Sequence, residues 1–202
     1  MPRVLSDEAV GEFREKLVDA AERLFAQHGL EAVTMRQLAA ALGVSPMTPY
    51  RYFADKDAIL TAVRTRAFNR HAEALELAFE GGGANTVERA NAVGRAYLDF
   101  ALGHPEAYKL MFDIKQPNEA AHPELVAAGE RSRAMMTAHL KAMIDSGVLK
   151  GDPDLIGHMF WSALHGAIQL QLAGMLSAPF DAERLSGAIM RTLWLGLNAE
   201  PT

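Results

Sequence analysis

The chain reads as an all-α fold, an N-terminal three-helix unit followed by a larger helical region, with nine helices in the count. Three observations carry that reading. Apolar residues recur at three- and four-residue spacing along most of its length, no segment sustains period-two alternation, and Gly, Pro and capping residues punctuate the periodic stretches. The 202 residues, half of them hydrophobic, are enough to bury a substantial core.

The spacing predicts a first helix over 6–28, with Phe13, Leu17, Ala20, Ala21, Leu24 and Phe25 on one face and Gly29 as the stop. Met35, Leu38, Ala39 and Leu42 predict a second, ended at Gly43. Ser45 can cap a third by accepting its free amides, and Pro46 suits the first helical position, where a missing N–H leaves nothing unpaired. That helix closes after Phe53. Asp55 is placed to cap a long helix over 56–79 carrying Leu60, Val63, Ala67, His71, Leu75 and Ala78 on one side, ended by Gly81, Gly82 and Gly83. Thr86 reads as the cap of the next, to about 102. Pro105 opens a short helix containing Tyr108, Met111 and Phe112, and a polar loop with Pro117, Asn118 and His122 follows. Pro123 opens a helix to about 146 with Leu125, Gly129, Met136, His139, Leu140 and Met143 on one face. Asp152 and Pro153 begin another, to about 175, and Asp181 caps the last, to about 197.

Residues 34–56, TMRQLAAALGVSPMTPYRYFADK, carry the densest chemistry. Two short helices joined by a tight turn at Gly43 and Val44 form the unit that places its second helix in a DNA major groove. Charge agrees with that location. The chain totals −5, but residues 34–70 hold six Lys or Arg against two Asp or Glu, while 1–33 and 71–202 are both net acidic. Phosphate contacts depend on the local face, so this asymmetry is the expected footprint of a nucleic-acid partner. There is no cysteine, hence no disulfide framework or thiolate chemistry. The N-terminus, MPRVLSDEAVGEF, lacks the basic start and apolar run of a secretory signal, and a cytoplasmic protein is expected.

Thr34, Leu38, Ala39, Gly43, Val44, Ser45, Thr48, Tyr50, Tyr52, Phe53 and Lys56 together resemble the signature of the tetracycline-repressor (TetR) family of bacterial transcription regulators. The likeness covers about the first 60 residues. Pro49 departs from it, standing where the family more usually has leucine; so close to the helix start it is expected to remove one backbone bond without breaking the element. The resemblance implies a double-stranded, palindromic DNA operator. It implies that Arg36, Gln37, Met47 and Thr48 face base edges, that Thr34, Tyr50, Tyr52 and Lys56 face phosphates, and that Arg51 does either, with Ser45 and Pro46 at the start of the reading helix. On the residues alone, Phe53 reads as packing against the first helix, Tyr52 is open between packing and phosphate contact, and Arg36 is open between base reading and a solvated charge.

Residues 159–176, MFWSALHGAIQLQLAGML, are apolar enough to raise a membrane span, but Ser162, His165, Gln169 and Gln171 interrupt them. A helix apolar nearly all round is otherwise a buried one, and Gly157, Ala163, Gly166, Ala167 and Gly174 allow another helix to approach closely. With the last helix, carrying Leu185, Ile189, Leu193 and Gly196, it predicts a four-helix homodimer interface. Trp161, His165 and Gly166 resemble the C-terminal domain of one TetR branch, named for its Trp, His and Gly.

The expected division is a DNA-binding domain over 1–56 and an effector-binding and dimerisation domain over 57–202. If the resemblance holds, the later helices enclose a cavity for a small-molecule effector, and Phe68, His71, Tyr97, Tyr108, Met111, Phe112, Met135, Met136, His139, Trp161 and His165 are its candidate lining; on the residues alone each reads first as plain core, as aromatic and methionine stripes at helical spacing usually are. His158, Ser162, His165 and Gln169 form a polar stripe that lines either the cavity or the dimer interface. Asp154 could join it at a metal, but no short ligand cluster supports one, and no cofactor motif is legible. The function expected is a ligand-responsive repressor that releases its operator by a shift in population. Two other classes stay open on the residues alone: an all-helical enzyme, for which no nucleophile and base pair or phosphate loop is visible, and an adaptor that binds a protein through the turn unit.

Overall fold

The structure is a computed structural model, and the residues it describes are 6–112 and 119–198. Among them are eight α-helices, two short 3-10 turns and no strand: α1 (Asp7–His28), α2 (Met35–Ala41), α3 (Lys56–Gly81), α4 (Thr86–Gly103), α5 (Pro105–Phe112), α6 (Pro123–Asp145), α7 (Pro153–Leu172) and α8 (Ala182–Leu197), with 3-10 turns at Pro49–Arg51 and Glu119–Ala121. No helix among the described residues is long and apolar enough to cross a membrane. Pro117 and Asn118 of the expected polar loop lie outside the described residues.

Helix starts follow the capping chemistry of the sequence. Ser6 caps α1, Asp55 accepts the Ala58 N–H at 2.8 Å at the head of α3, and Asp152 and Asp181 cap α7 and α8. One start differs. Asn85, not Thr86, caps α4: its extended backbone aims the side-chain oxygen at the Glu88 N–H, 2.9 Å away, and Thr86 is already helical. Several ends are set by glycine, two of them beside the regions that matter for function. Gly43 (φ 65°) and Gly174 (φ 68°) take the left-handed conformation, and each delivers the next residue's N–H back to the last turn, Val44 to Ala39 and Met175 to Leu170. That second turn stops α7 at Leu172, three residues short of the expected end.

The largest correction concerns the second helix of the turn unit. From Pro46 to Phe53 there is no α-helix, only a turn and the 3-10 segment Pro49–Arg51. Ser45 Oγ does accept an amide, that of Met47 at 3.4 Å, but the bonds that follow run mostly over three residues: Thr48 to Ser45, Arg51 to Thr48 and Tyr52 to Pro49. The missing N–H of Pro46 costs a helix nothing at its first position, but Pro49 removes the donor of the first four-residue bond, to the Ser45 carbonyl, and a stretch of eight residues has few other bonds to offset that loss. This segment accounts for the difference between nine expected helices and eight.

The chain divides into two compact units, Met1–Phe68 with Glu106–Ala128, and Asn69–Pro105 with Gly129–Thr202. The first has a continuous core of Leu17, Ala21 and Phe25 from α1, Leu38 from α2, Phe53 from the segment before α3, Ile59, Leu60 and Val63 from α3 and Leu110 from α5. Two arginines of α3 reinforce it. Buried Arg64 donates to the carbonyls of Leu110 and Met111 at the end of α5 and pairs with Glu119 at 2.8 Å, whereas Arg66 meets Asp19 at 2.6 Å, Glu22 at 2.5 Å and Glu15 at 3.4 Å on α1. In the second unit Leu140, Met143, Leu149 and Ile156 form a core to which Phe160, Trp194 and Leu197 add.

Candidate functional site

The turn unit is built outward from its capping pair. Thr34 caps α2 by accepting the Gln37 N–H, and the Gln37 carboxamide oxygen accepts the Thr34 N–H at 2.8 Å and the Thr34 hydroxyl at 2.8 Å. These two candidates therefore bond to each other in the free protein. Met35, Leu38 and Ala39 are buried, leaving Arg36 and Gln37 on the outer face. In the segment that follows, Pro49 and Phe53 are the buried anchors, one helical turn apart, and what they turn outward is Ser45, Pro46, Met47, Tyr50 and Arg51. Met47 is 67% exposed and Tyr50 49%, high for large apolar side chains on a small unit. Thr48 is half-buried.

The C-terminal end of this segment is fixed by α1. Tyr52 stacks on Phe13 with ring centroids 4.3 Å apart, Arg14 donates to the Tyr52 carbonyl, and its guanidinium lies 4.1 Å from the centre of the Phe53 ring. Tyr52 is thus a packing residue as well as a phosphate candidate. Lys56 donates to the Leu30 carbonyl at 2.7 Å, using one of its three N–H donors. Phe13 and Arg14 are positioning residues that the sequence reading missed as such. Phe13 was legible only as core, and nothing in the spacing of Arg14 separates it from a surface charge. The local charge also narrows. Of the six cations in 34–70, Arg64 and Arg66 are held by groups of their own unit and Arg70 has a partner, so Arg36, Arg51 and Lys56 are those placed at the turn unit.

The effector candidates separate between the units. Phe68, Tyr108, Met111 and Phe112 belong to the first, where Phe112 meets Phe68 edge to face at 5.9 Å and Tyr108 at 4.9 Å. The others belong to the second, which contains a cavity of about 910 Å³ between α4, α6, α7 and α8. Tyr97, Met136 and His139 line it; His71, Met135, Trp161 and His165 do not. His71 is fully buried against the edges of Tyr97 (4.9 Å) and Phe100 (5.0 Å), with Nδ1 2.8 Å from Ser132 Oγ, and burial pushes its pKa down to about 4. Trp161 donates to Tyr97 Oη at 2.9 Å. Burial likewise lowers the pKa of His139, opposed by its bond to the Met135 carbonyl.

On α7 the cavity is lined by Phe160 and Leu164. At 100° per residue the stripe of His158, Ser162 and Gln169 falls on the opposite side, bordered by His165, and exposed Leu155, Met159 and Leu170 lie along the flank beside it. No group of His, Asp or Glu among the described residues could hold a metal ion.

Among the described residues, all helices and turns, a capped helix, a glycine turn and an exposed, basic-flanked segment are the parts of a DNA-binding helix-turn-helix unit. Residues 17–63 match the family model "Bacterial regulatory proteins, tetR family", and residues 90–193, about half the chain, match "Tetracyclin repressor-like, C-terminal domain". The chain belongs to the TetR family: it is a DNA-binding transcriptional regulator and not an enzyme. It is 28% identical over 188 residues to an uncharacterized HTH-type transcriptional regulator of Mycobacterium tuberculosis, covering 92% of this chain and 77% of that one. Among solved structures it is similar to a protein of unknown function from Rhodococcus sp. RHA1, with a TM-score of 0.81 and 30% identity over 98% of this chain and 100% of that one. It shares its fold with the transcriptional regulator FadR from Bacillus subtilis in complex with stearoyl-CoA, with a TM-score of 0.75 and 19% identity over 91% of this chain and 99% of that one.

Proposed function

We propose that this regulator is a homodimeric repressor that acts in the cytoplasm, holds a palindromic operator through residues 34–56 of each subunit, and releases it when a small molecule occupies the C-terminal region. The observation that carries the reading is the pairing of outward-facing Met47, Tyr50 and Arg51 with a separate, largely apolar cavity of about 910 Å³, within the range of small-molecule sites. Arg36, Met47, Thr48 and Arg51 read bases, while Thr34, Tyr50, Tyr52 and Lys56 meet phosphates. The exposed face of α7, with Leu155, Met159, Ser162 and Leu170, and the adjoining face of α8, with Ala188, Thr192 and Leu195, form the subunit contact, which puts the polar stripe in the interface. Two subunits then span half-sites about one helical turn of DNA, or a multiple of it, apart.

Coupling has a physical route inside the second unit. Tyr97 lines the cavity and also packs edge-on against His71 of α3, the helix whose N-terminus follows the turn unit. A ligand that shifts Tyr97 favours one placement of α3 over another, and the loss of DNA affinity equals the loss of ligand affinity that DNA imposes. That FadR of Bacillus subtilis, a protein of the same fold, was solved with stearoyl-CoA supports a small-molecule effector here. Fluorescence anisotropy with the DNA upstream of the protein's own gene tests the first step: sequence-selective binding that weakens steeply with salt is expected, and binding indifferent to sequence or salt would overturn the reading.

A further inference from the structure

The cavity of the second unit has an apolar floor and a charged rim on one side. Leu140, Met143, Phe160, Leu164 and Trp194 supply the floor. At the rim stand Arg95 on α4 and Asp181, Glu183, Arg184 and Arg191 at and along α8. Most of these charges have occupations of their own. The Asp181 carboxylate caps α8, Arg184 donates to the Pro179 carbonyl at 3.1 Å and lies over the Phe180 ring, and Arg95 faces Glu183 at 3.9 Å. Arg191 alone among the described rim residues has no partner. A guanidinium left so at the edge of an apolar cavity favours an anion over a cation or a neutral group.

Two glycines say the space is kept open. Gly94 lies in the middle of α4 and borders the cavity, yet a Cβ added there would meet no atom within 4 Å; on α8, a Cβ at Gly187 would meet only the Arg191 guanidinium, at 3.6 Å. Mid-helix glycine is a poorer helix former than alanine. Gly94 lines the cavity with open space beside it, so a larger side chain there would project into that space. Inside, His139 donates Nδ1–H to the Met135 carbonyl at 3.1 Å, a tautomer that leaves Nε2 as an acceptor for a hydroxyl or amide partway along a ligand.

We propose that this cavity takes an amphipathic organic anion, with its apolar body laid against Phe160, Met143 and Trp194 beneath Gly94 and its charged end at Arg191. The inference names the effector class and so rests on the reading of the chain as ligand-responsive, but its test needs no DNA. Trp194 lines the cavity and Trp161 does not, so in the full-length Trp161→Phe protein the emission of Trp194 reports occupancy directly. The probes are decanoate, decan-1-ol and decyltrimethylammonium at submicellar concentration. Decanoate should bind roughly tenfold or more tightly than the ammonium, as expected when a charge-assisted hydrogen bond is replaced by like-charge contact. Arg191→Ala should weaken decanoate by roughly tenfold and leave decanol unchanged. Gly94→Leu should abolish all three with no fall in melting temperature, since leucine is the better helix former, while Gly94→Ala should retain them.

Equal affinity for decanoate and the ammonium, indifference to Arg191→Ala, or no response to any probe would each overturn the proposal. Operator release is then scored separately by anisotropy. If decanoate occupies the cavity and DNA stays bound, the site stands and the ligand-release reading fails; if Trp194 does not respond while DNA binds normally, the site fails alone.

Discussion

Arg36 and Arg51 reach solvent at the turn unit without partners among the described residues, whereas Lys56 also supports the fold by donating to the Leu30 carbonyl. The two kinds of cation should fail differently. Arg36→Ala is expected to relax sequence preference while keeping most of the affinity for unrelated DNA. Lys56→Ala should weaken binding to all DNA, flatten the logarithmic salt dependence by about one unit, and lower stability by about 1 kcal/mol through the orphaned carbonyl. Anisotropy titrations at several salt concentrations, paired with urea unfolding, separate the two patterns.

His71 makes a prediction about acid. Unfolded, it titrates near 6.5; folded, near 4. Between those values the unfolded chain binds a proton that the folded chain refuses, so stability falls as pH drops through that window and the loss levels off below it, at about 3 kcal/mol in all. His71→Gln should show a smaller difference in urea midpoint between pH 7 and pH 4.5 than the parent protein. An equal difference in both would count against a neutral His71.

At the level of elements, α3 is held in the first unit by two arginines of unequal weight. Arg64 is buried and satisfies two backbone carbonyls at the end of α5 besides Glu119, so Arg64→Ala should lower the unfolding free energy by about 3 kcal/mol. Arg66 is part-exposed and two of its three carboxylates are in solvent, so Arg66→Ala should cost about 1 kcal/mol, less in high salt. Urea unfolding at two salt concentrations distinguishes them.

The reading segment makes the complementary case, since its conformation is decided by what is missing. Pro49→Leu returns one backbone donor, and it should raise helical ellipticity and alter which operator variants bind best. The same segment shows where local rules run out. Caps at Asp55 and Asp181 were legible because a cap is a bond between residues three apart. The cost of Pro49 was underestimated because helix formation is cooperative over the whole segment, and eight residues with two prolines leave too few bonds to sustain it.

On the scale of the molecule, exposed apolar residues of α7 and α8, Leu155, Met159 and Leu170 on the first and Leu195 on the second, are not among those that line the cavity. Leu155→Glu with Leu195→Glu should therefore yield a monomer by sedimentation velocity, with operator affinity reduced by more than a hundredfold because one subunit reads only one half-site, and with decanoate binding retained. A dimer that survives both substitutions would place the subunit contact elsewhere.

The all-α class, most of the helix starts, the turn at Gly43 and the basic stretch around it were readable from the order of residues, because each depends on spacing within a turn or two of the same helix. The partners of each helix face were not. Phe68, Tyr108, Met111 and Phe112 sit in one unit and Tyr97, Met136 and His139 line a cavity in the other, although all seven look alike as aromatic, methionine or histidine residues at helical spacing. The same holds for charge: Arg64, Arg66 and Arg36 count equally along the chain, yet only their three-dimensional neighbours separate the cations that hold the fold from the one that faces outward. Periodicity states that a side chain is on a buried or exposed face; what that face meets depends on residues far away in sequence, and only packing brings them together.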